Sequence, residues 1–127
     1  MKTRYPLILS YIICFLSGCA SFQAGTNVES GRKAFLIDKD ENALGYFERA
    51  AQIDPAYVYG TALQQNIWSY VGRSEYSTGK LLQARNSLEK ALSLNKEEDM
   101  ARLYLGLTLA RSGESSAGTK ANPRRNE

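Results

Sequence analysis

The chain has 127 residues, 16 of them basic and 13 acidic, with no histidine. That length holds one small domain, and the missing histidine excludes Ser-His-Asp and Cys-His catalysis, two-histidine zinc helices and most catalytic zinc sites. Removing Lys2 and Arg4 with the N-terminus would lower the 16 basic side chains to 14 against 13 acidic, and the one basic cluster, Arg124 and Arg125, sits in a polar tail, so no nucleic-acid partner is expected.

Met1 to Arg4 carries two positive charges and Tyr5 to Leu16 is apolar except for Ser10, the charged and hydrophobic regions of a secretory signal. The run is too short to span a bilayer, which takes ~20 residues as a helix. It ends at Leu16-Ser17-Gly18-Cys19, which resembles the bacterial lipobox. The resemblance implies a signal peptide over 1–18, a diacylglycerol on the Cys19 thiol, cleavage before that cysteine and acylation of the new amine. Two or more acyl chains hold stably, because each buried methylene adds about 0.8 kcal/mol. Ala20 after the cysteine implies the outer membrane, facing the periplasm, in a Gram-negative host. A competing reading is ordinary cleavage after Ala20, with Gly18 and Ala20 as the small residues, leaving a soluble protein. Cys14 lies inside the apolar run, so processing would leave neither a disulfide framework nor a redox pair. Residues 19–25 read as a lipidated tether.

From residue 26 onward the signals are helical. Thr26 with Glu29, Asp38 with Glu41 and Asn95 with Glu98 have the spacing of capping boxes. Asp54-Pro55 offers a capping carboxylate followed by proline at a first helical position, and Ser77 or Thr78 could cap a further helix. The reading is five helices, at about 27–37, 39–53, 55–74, 79–94 and 97–111, in an all-α domain over 26–113. The polar segment 114–127 lacks the apolar residues to order itself.

Asn42 to Asp54 aligns with Gln83 to Asn95 in almost every chemical class, an internal repeat. Both segments resemble the second helix of a tetratricopeptide repeat, carried by Ala43, Phe47, Ala50 and Pro55, then by Ala84, Leu88 and Ala91. Trp68, Val71-Gly72 and Gly79 fall on the aromatic, Leu-Gly and turn positions of a first helix, and Leu105-Gly106 and Gly113 fall on their counterparts in the next repeat. The resemblance implies a short α-α superhelix of about two and a half repeats. Gly72, Ala84 and Gly106 are read as packing residues where helix backbones approach. The 41-residue offset exceeds the usual 34, so about seven residues are inserted near Val58 to Gln64, with room for two helical turns.

No residue set has the pattern of a catalytic site. Gly72 to Leu81 has glycines too far apart for a phosphate loop and no hydroxyl residue for magnesium. Asp38, Asp40 and Asn42 open like a calcium loop, but Ala43 and Arg49 replace its turn glycine and closing glutamate. Glu97, Glu98 and Asp99 read as carboxylates at the positive end of a helix. Neither cofactor nor metal is expected, and the chain is read as a binding protein, not an enzyme.

The family resemblance implies a concave groove lined by first helices, here Arg32 and Phe35, then Asn66, Ser69, Arg73 and Tyr76, then Leu103, Leu107 and Arg111. Arg32 and Arg73 share a repeat position, so a line of guanidinium groups could face an acidic segment. The last helix is apolar around much of its circumference, through Met100, Leu103, Tyr104, Leu105, Leu107 and Leu109, and should be covered by a partner or a second copy. The leading expectation is an envelope adaptor or assembly factor that grips another envelope protein; secretin or pilus pilots, cell-wall enzyme adaptors and export accessory subunits fit equally. The alternative is a structural subunit that self-associates through its last helix.

Overall fold

The computed structural model describes the backbone of residues 5–121 and the side chains of residues 18–113. The charged start Met1 to Arg4 and the Arg124-Arg125 pair lie outside the described residues. The fold is all-α. Among the described residues five helices, α1 (Tyr5–Leu36), α2 (Asp40–Ile53), α3 (Ile67–Ser77), α4 (Leu81–Leu94) and α5 (Asp99–Ala121), are interrupted only by a short antiparallel pair, β1 (Val58–Tyr59) and β2 (Gln65–Asn66). Each helix packs on the next in sequence, and α3 also meets α5. No helix among the described residues is long and apolar enough to cross a membrane.

The internal repeat is built into the packing. Gly31 of α1 faces Phe47 of α2 so closely that an added Cβ would lie 2.6 Å from the ring, and Gly72 of α3 faces Leu88 of α4 at 2.5 Å in the same way. Ala43, Ala50, Ala84 and Ala91 are fully buried beside these contacts. Trp68 touches both apolar clusters and joins them into one core.

The turns repeat as well. Asp38 and Gly79 take positive φ, 55° and 79°, and the next amides, of Lys39 and Lys80, donate back to Ala34 O at 3.0 Å and Glu75 O at 2.8 Å. That left-handed residue with its backward bond closes a helix whose last carbonyls would otherwise lack donors. Asp38 therefore ends α1 and does not cap α2, which begins after Lys39 without a side-chain cap. Asp54 and Asn95 each end a second helix, and each side chain accepts the amide two residues on, at 3.1 Å.

Four expectations differ. The tether over 19–25 is helical: Ala24 is fully buried, Gly25 packs near the Tyr57 hydroxyl and the Ser21 hydroxyl donates to Asp54 Oδ2 at 3.1 Å. Small residues are what let α1 lie this close to its neighbours, so a composition that reads as a linker is a packing face. Thr26 is inside α1, donating to Phe22 O at 2.8 Å, and caps nothing. The helix expected over 55–74 starts only at Ile67, because Val58-Tyr59-Gly60 favours an extended turn: Gly60 has φ +90° and any Cβ there would lie 2.7 Å from Leu63 O. The inserted residues form a β-hairpin, not two helical turns. Beyond residue 113, α5 continues to Ala121 where a structureless tail is expected.

Candidate functional site

The first helices of the two helix pairs and α5 enclose a cleft of about 420 Å³, lined by Glu29, Arg32, Lys33, Phe35 and Leu36 of α1, Gln65 of the hairpin, Tyr70 and Arg73 of α3, and Met100 of α5. Three of the expected groove residues, Arg32, Phe35 and Arg73, meet here. They come from one face of α1 and one face of α3, and the repeat register sets them side by side.

Arg73 is the side chain held in the open part of the cleft. Its guanidinium stands 4.5 Å from the Phe35 ring centroid and 5.6 Å from that of Tyr104, an attraction between cation and ring face. Among the described residues no carboxylate lies within ion-pair distance of it. Two aromatic rings thus fix a charged, planar, bidentate donor without satisfying its hydrogen bonds, the condition for a carboxylate from elsewhere to do so.

Arg32 is already engaged. It bonds Glu29 Oε1 at 3.1 Å, hydrogen-bonds the Tyr59 hydroxyl and lies 4.5 Å over the Tyr59 ring. Tyr59 in turn donates to Glu29 Oε1 at 2.7 Å. That hydrogen bond, helped by Arg32 and Lys33, holds the Glu29 carboxyl below its ordinary range against the opposing effect of burial, and the same bond raises the Tyr59 phenol. Tyr70, buried beneath the cleft, is pushed up to about 12, chiefly by desolvation. Both phenols therefore stay neutral at physiological pH, and the cleft keeps the charge of Arg32, Lys33 and Arg73 against Glu29 alone.

The remaining groove residues lie elsewhere. Asn66 is buried and caps α3 by accepting the Trp68 amide at 3.1 Å, while its amide group donates to Ala91 O at 3.1 Å and to Glu98. Ser69 is fully buried and donates to Glu98 Oε1. Both positions are turned inward because Glu98, the residue just before α5, delivers a carboxylate to the start of α3, which a simple repeat register does not contain. Tyr76 packs edge-on against Tyr104 at 5.6 Å and sits under Arg111 at 5.4 Å, with Arg111 also donating to Tyr76 O at 3.2 Å. Leu103 and Leu107 are exposed on α5 outside the cleft lining, where Met100 takes the place expected for them.

Glu29 and Tyr104, read from the sequence as a capping partner and as part of the apolar last helix, and Tyr59 and Tyr70, which carry no signal there, shape the cleft. Tyr59 reaches α1 only because the hairpin carries it there. Among the described residues no group of three His, Cys, Asp or Glu side chains could hold a metal ion. Cys19 is exposed on α1, two residues before the packed part of the helix begins. No protein-family model and no curated protein matches the chain.

Proposed function

We propose that this protein is a lipid-anchored envelope adaptor of the tetratricopeptide kind, attached through Cys19 and gripping an acidic segment of another envelope protein in the cleft between α1, α3 and α5. The observation that carries the reading is Arg73, a guanidinium fixed between Phe35 and Tyr104 with no carboxylate within ion-pair distance among the described residues. The equivalent Gly31–Phe47 and Gly72–Leu88 contacts support the repeat assignment, and the apolar run ending at Leu16-Ser17-Gly18-Cys19 supports the anchor. In a Gram-negative host Ala20 directs the anchored form to the outer membrane, facing the periplasm. The role is one of binding, without a catalytic step or cofactor.

The test is a photocrosslinker placed at Leu36, on the cleft rim, in membranes of producing cells. Wild-type protein should crosslink to one predominant envelope protein through an acidic stretch. Arg73→Glu should reduce that capture about tenfold or more, since reversing a fixed charge opposite a carboxylate removes the pair and adds repulsion. Undiminished capture by the variant counts against cleft binding.

A second reading, self-association through α5, is favoured by the exposed side of that helix, where Gly106 has nothing within 4 Å of a would-be Cβ and Leu103, Leu107 and Leu109 are exposed.

A further inference from the structure

The end of the domain from which α1 emerges has a composition of its own. The Ser21 hydroxyl bonds Asp54, the residue that closes α2, so α1 is packed up to the level where its partner helix stops. Cys19 lies two residues earlier, about 3 Å along the axis at 1.5 Å per residue, and the helix is unbroken back to Tyr5. Acyl chains on Cys19, or the apolar run Tyr5 to Leu16 itself, would leave the domain through this end with no flexible linker between.

Because successive helices are antiparallel, the same end gathers the last residues of α2 and α4, the first residues of α3 and α5, and the hairpin. It also carries four exposed large apolar side chains: Phe22 at 76%, Val58 at 45%, Leu63 at 80% and Leu94 at 57% relative exposure. Val58 and Leu94 share one recess with Ala56 and Gln64. The charged groups there are Asp54, Lys96, Glu97, Glu98, Asp99 and Arg102, of which Glu98 is buried on Asn66 and Ser69 and most of the others are partnered. Asp54 accepts from Ser21 and from the Ala56 amide. Glu97 pairs with Arg102 at 2.8 Å, and Asp99 lies 4.0 Å from the same arginine. Lys96 is the one cation without an ion pair among the described residues of this loop, so no basic cluster exists to seek anionic phosphates.

We infer that this end is the membrane face of the domain, laid on the bilayer interface by Phe22, Val58, Leu63 and Leu94. Its lipid partner is recognised by apolar contact at the headgroup–acyl boundary and not by headgroup charge. The inference rests on the anchored reading of the N-terminus. It fixes the height of the cleft: Arg32 is thirteen residues along α1 from Cys19, or about 20 Å. The segment gripped there must be juxtamembrane.

The test uses the full chain in a Cys14→Ser background, extracted from membranes and reconstituted into vesicles of phosphatidylethanolamine and phosphatidylglycerol containing a lipid-borne quencher. Cysteines introduced one at a time at Phe22, Leu63, Leu94 and Leu107 carry an environment-sensitive fluorophore, and the Cys14→Ser parent, labelled in parallel, gives the signal of any unacylated Cys19 to be subtracted. Labels at 22, 63 and 94 should be quenched several-fold more than the label at 107, with little change when phosphatidylglycerol is omitted. If the labels at 63 and 94 behave like that at 107, the membrane face is refuted, and an acyl mass found on Cys19 in the same sample would leave the anchor standing. If quenching follows the expected pattern and no acyl mass is present, the membrane face stands, held by the apolar run, and lipidation falls.

Discussion

Gly31 and Gly72 differ physically from Gly106, although all three fall on the repeat. At the first two, a neighbouring side chain occupies the place of a Cβ, and at Gly72 the Leu88 amide nitrogen is also only 3.2 Å away. Backbone cannot rotate aside, so Gly72→Ala should cost about 1–3 kcal/mol in urea unfolding through overpacking. Gly106 is exposed and meets nothing, so Gly106→Ala should stabilise by about 1 kcal/mol, the ordinary helix preference for alanine. Equal effects at the two positions would mean that the close approach is not what the glycine serves. The packing role of Gly72 and Ala84 is legible through the repeat resemblance, because those residues face a partner within the same helix pair. Gly106, read the same way, meets nothing in the structure, since its packing role depends on a following helix that is not among the described elements.

At the scale of elements, the joint between α3 and α5 departs most from a plain repeat. Glu98, buried before α5, accepts the Asn66 amide at 3.1 and 3.2 Å and also the Asn66 side chain and the Ser69 hydroxyl. Instead of serving the positive end of its own helix, it serves the start of α3. Removing it leaves buried donors without acceptors, so Glu98→Ala should cost about 3 kcal/mol and speed hydrogen exchange in the first turns of α3 and α5. Burial raises the Glu98 carboxyl above its ordinary value of 4.5, only partly offset by these donors. Glu75, whose Oε2 is buried without a partner, is raised by burial too. The folded state therefore holds these protons when the unfolded chain has released them. Stability against unfolding should fall as pH rises from the ordinary carboxylate range through the raised values, then level off. Glu75→Gln should remove its share of that slope in urea titrations at several pH values. Helix number and order were legible in apolar periodicity. The Val58–Asn66 hairpin was not, because a seven-residue excess fits two helical turns as readily, and with the hairpin went the inward turn of Asn66 and Ser69.

Taken whole, the described residues form two helix pairs followed by a helix that none of them pairs, and α5 presents one side to α4 and leaves the other open among them. Ala101 and Thr108 are buried, Tyr104 and Leu105 pack on the α4 cluster, and Leu103, Gly106, Leu107 and Leu109 remain exposed. A stack of helix pairs continues when another helix covers such a face, and here a second copy could supply it as well as a partner could. Leu107→Asp separates the cases. Leu107 is already solvent-exposed, so a charge there should change monomer stability by no more than about 0.5 kcal/mol, while a desolvated carboxylate in a helix–helix contact would be strongly unfavourable. If α5 is a self-association face, detergent-solubilised wild-type protein forms a dimer by sedimentation and Leu107→Asp is monomeric with an unchanged unfolding curve. If wild-type protein is monomeric at high concentration, self-association is excluded, and the variant then reports on the partner: crosslinking from Leu36 in the cleft should persist while crosslinking from Leu103 on the open face of α5 is lost. Persistence of both would leave the α5 face without a binding role, and the cleft around Arg73 would carry recognition alone.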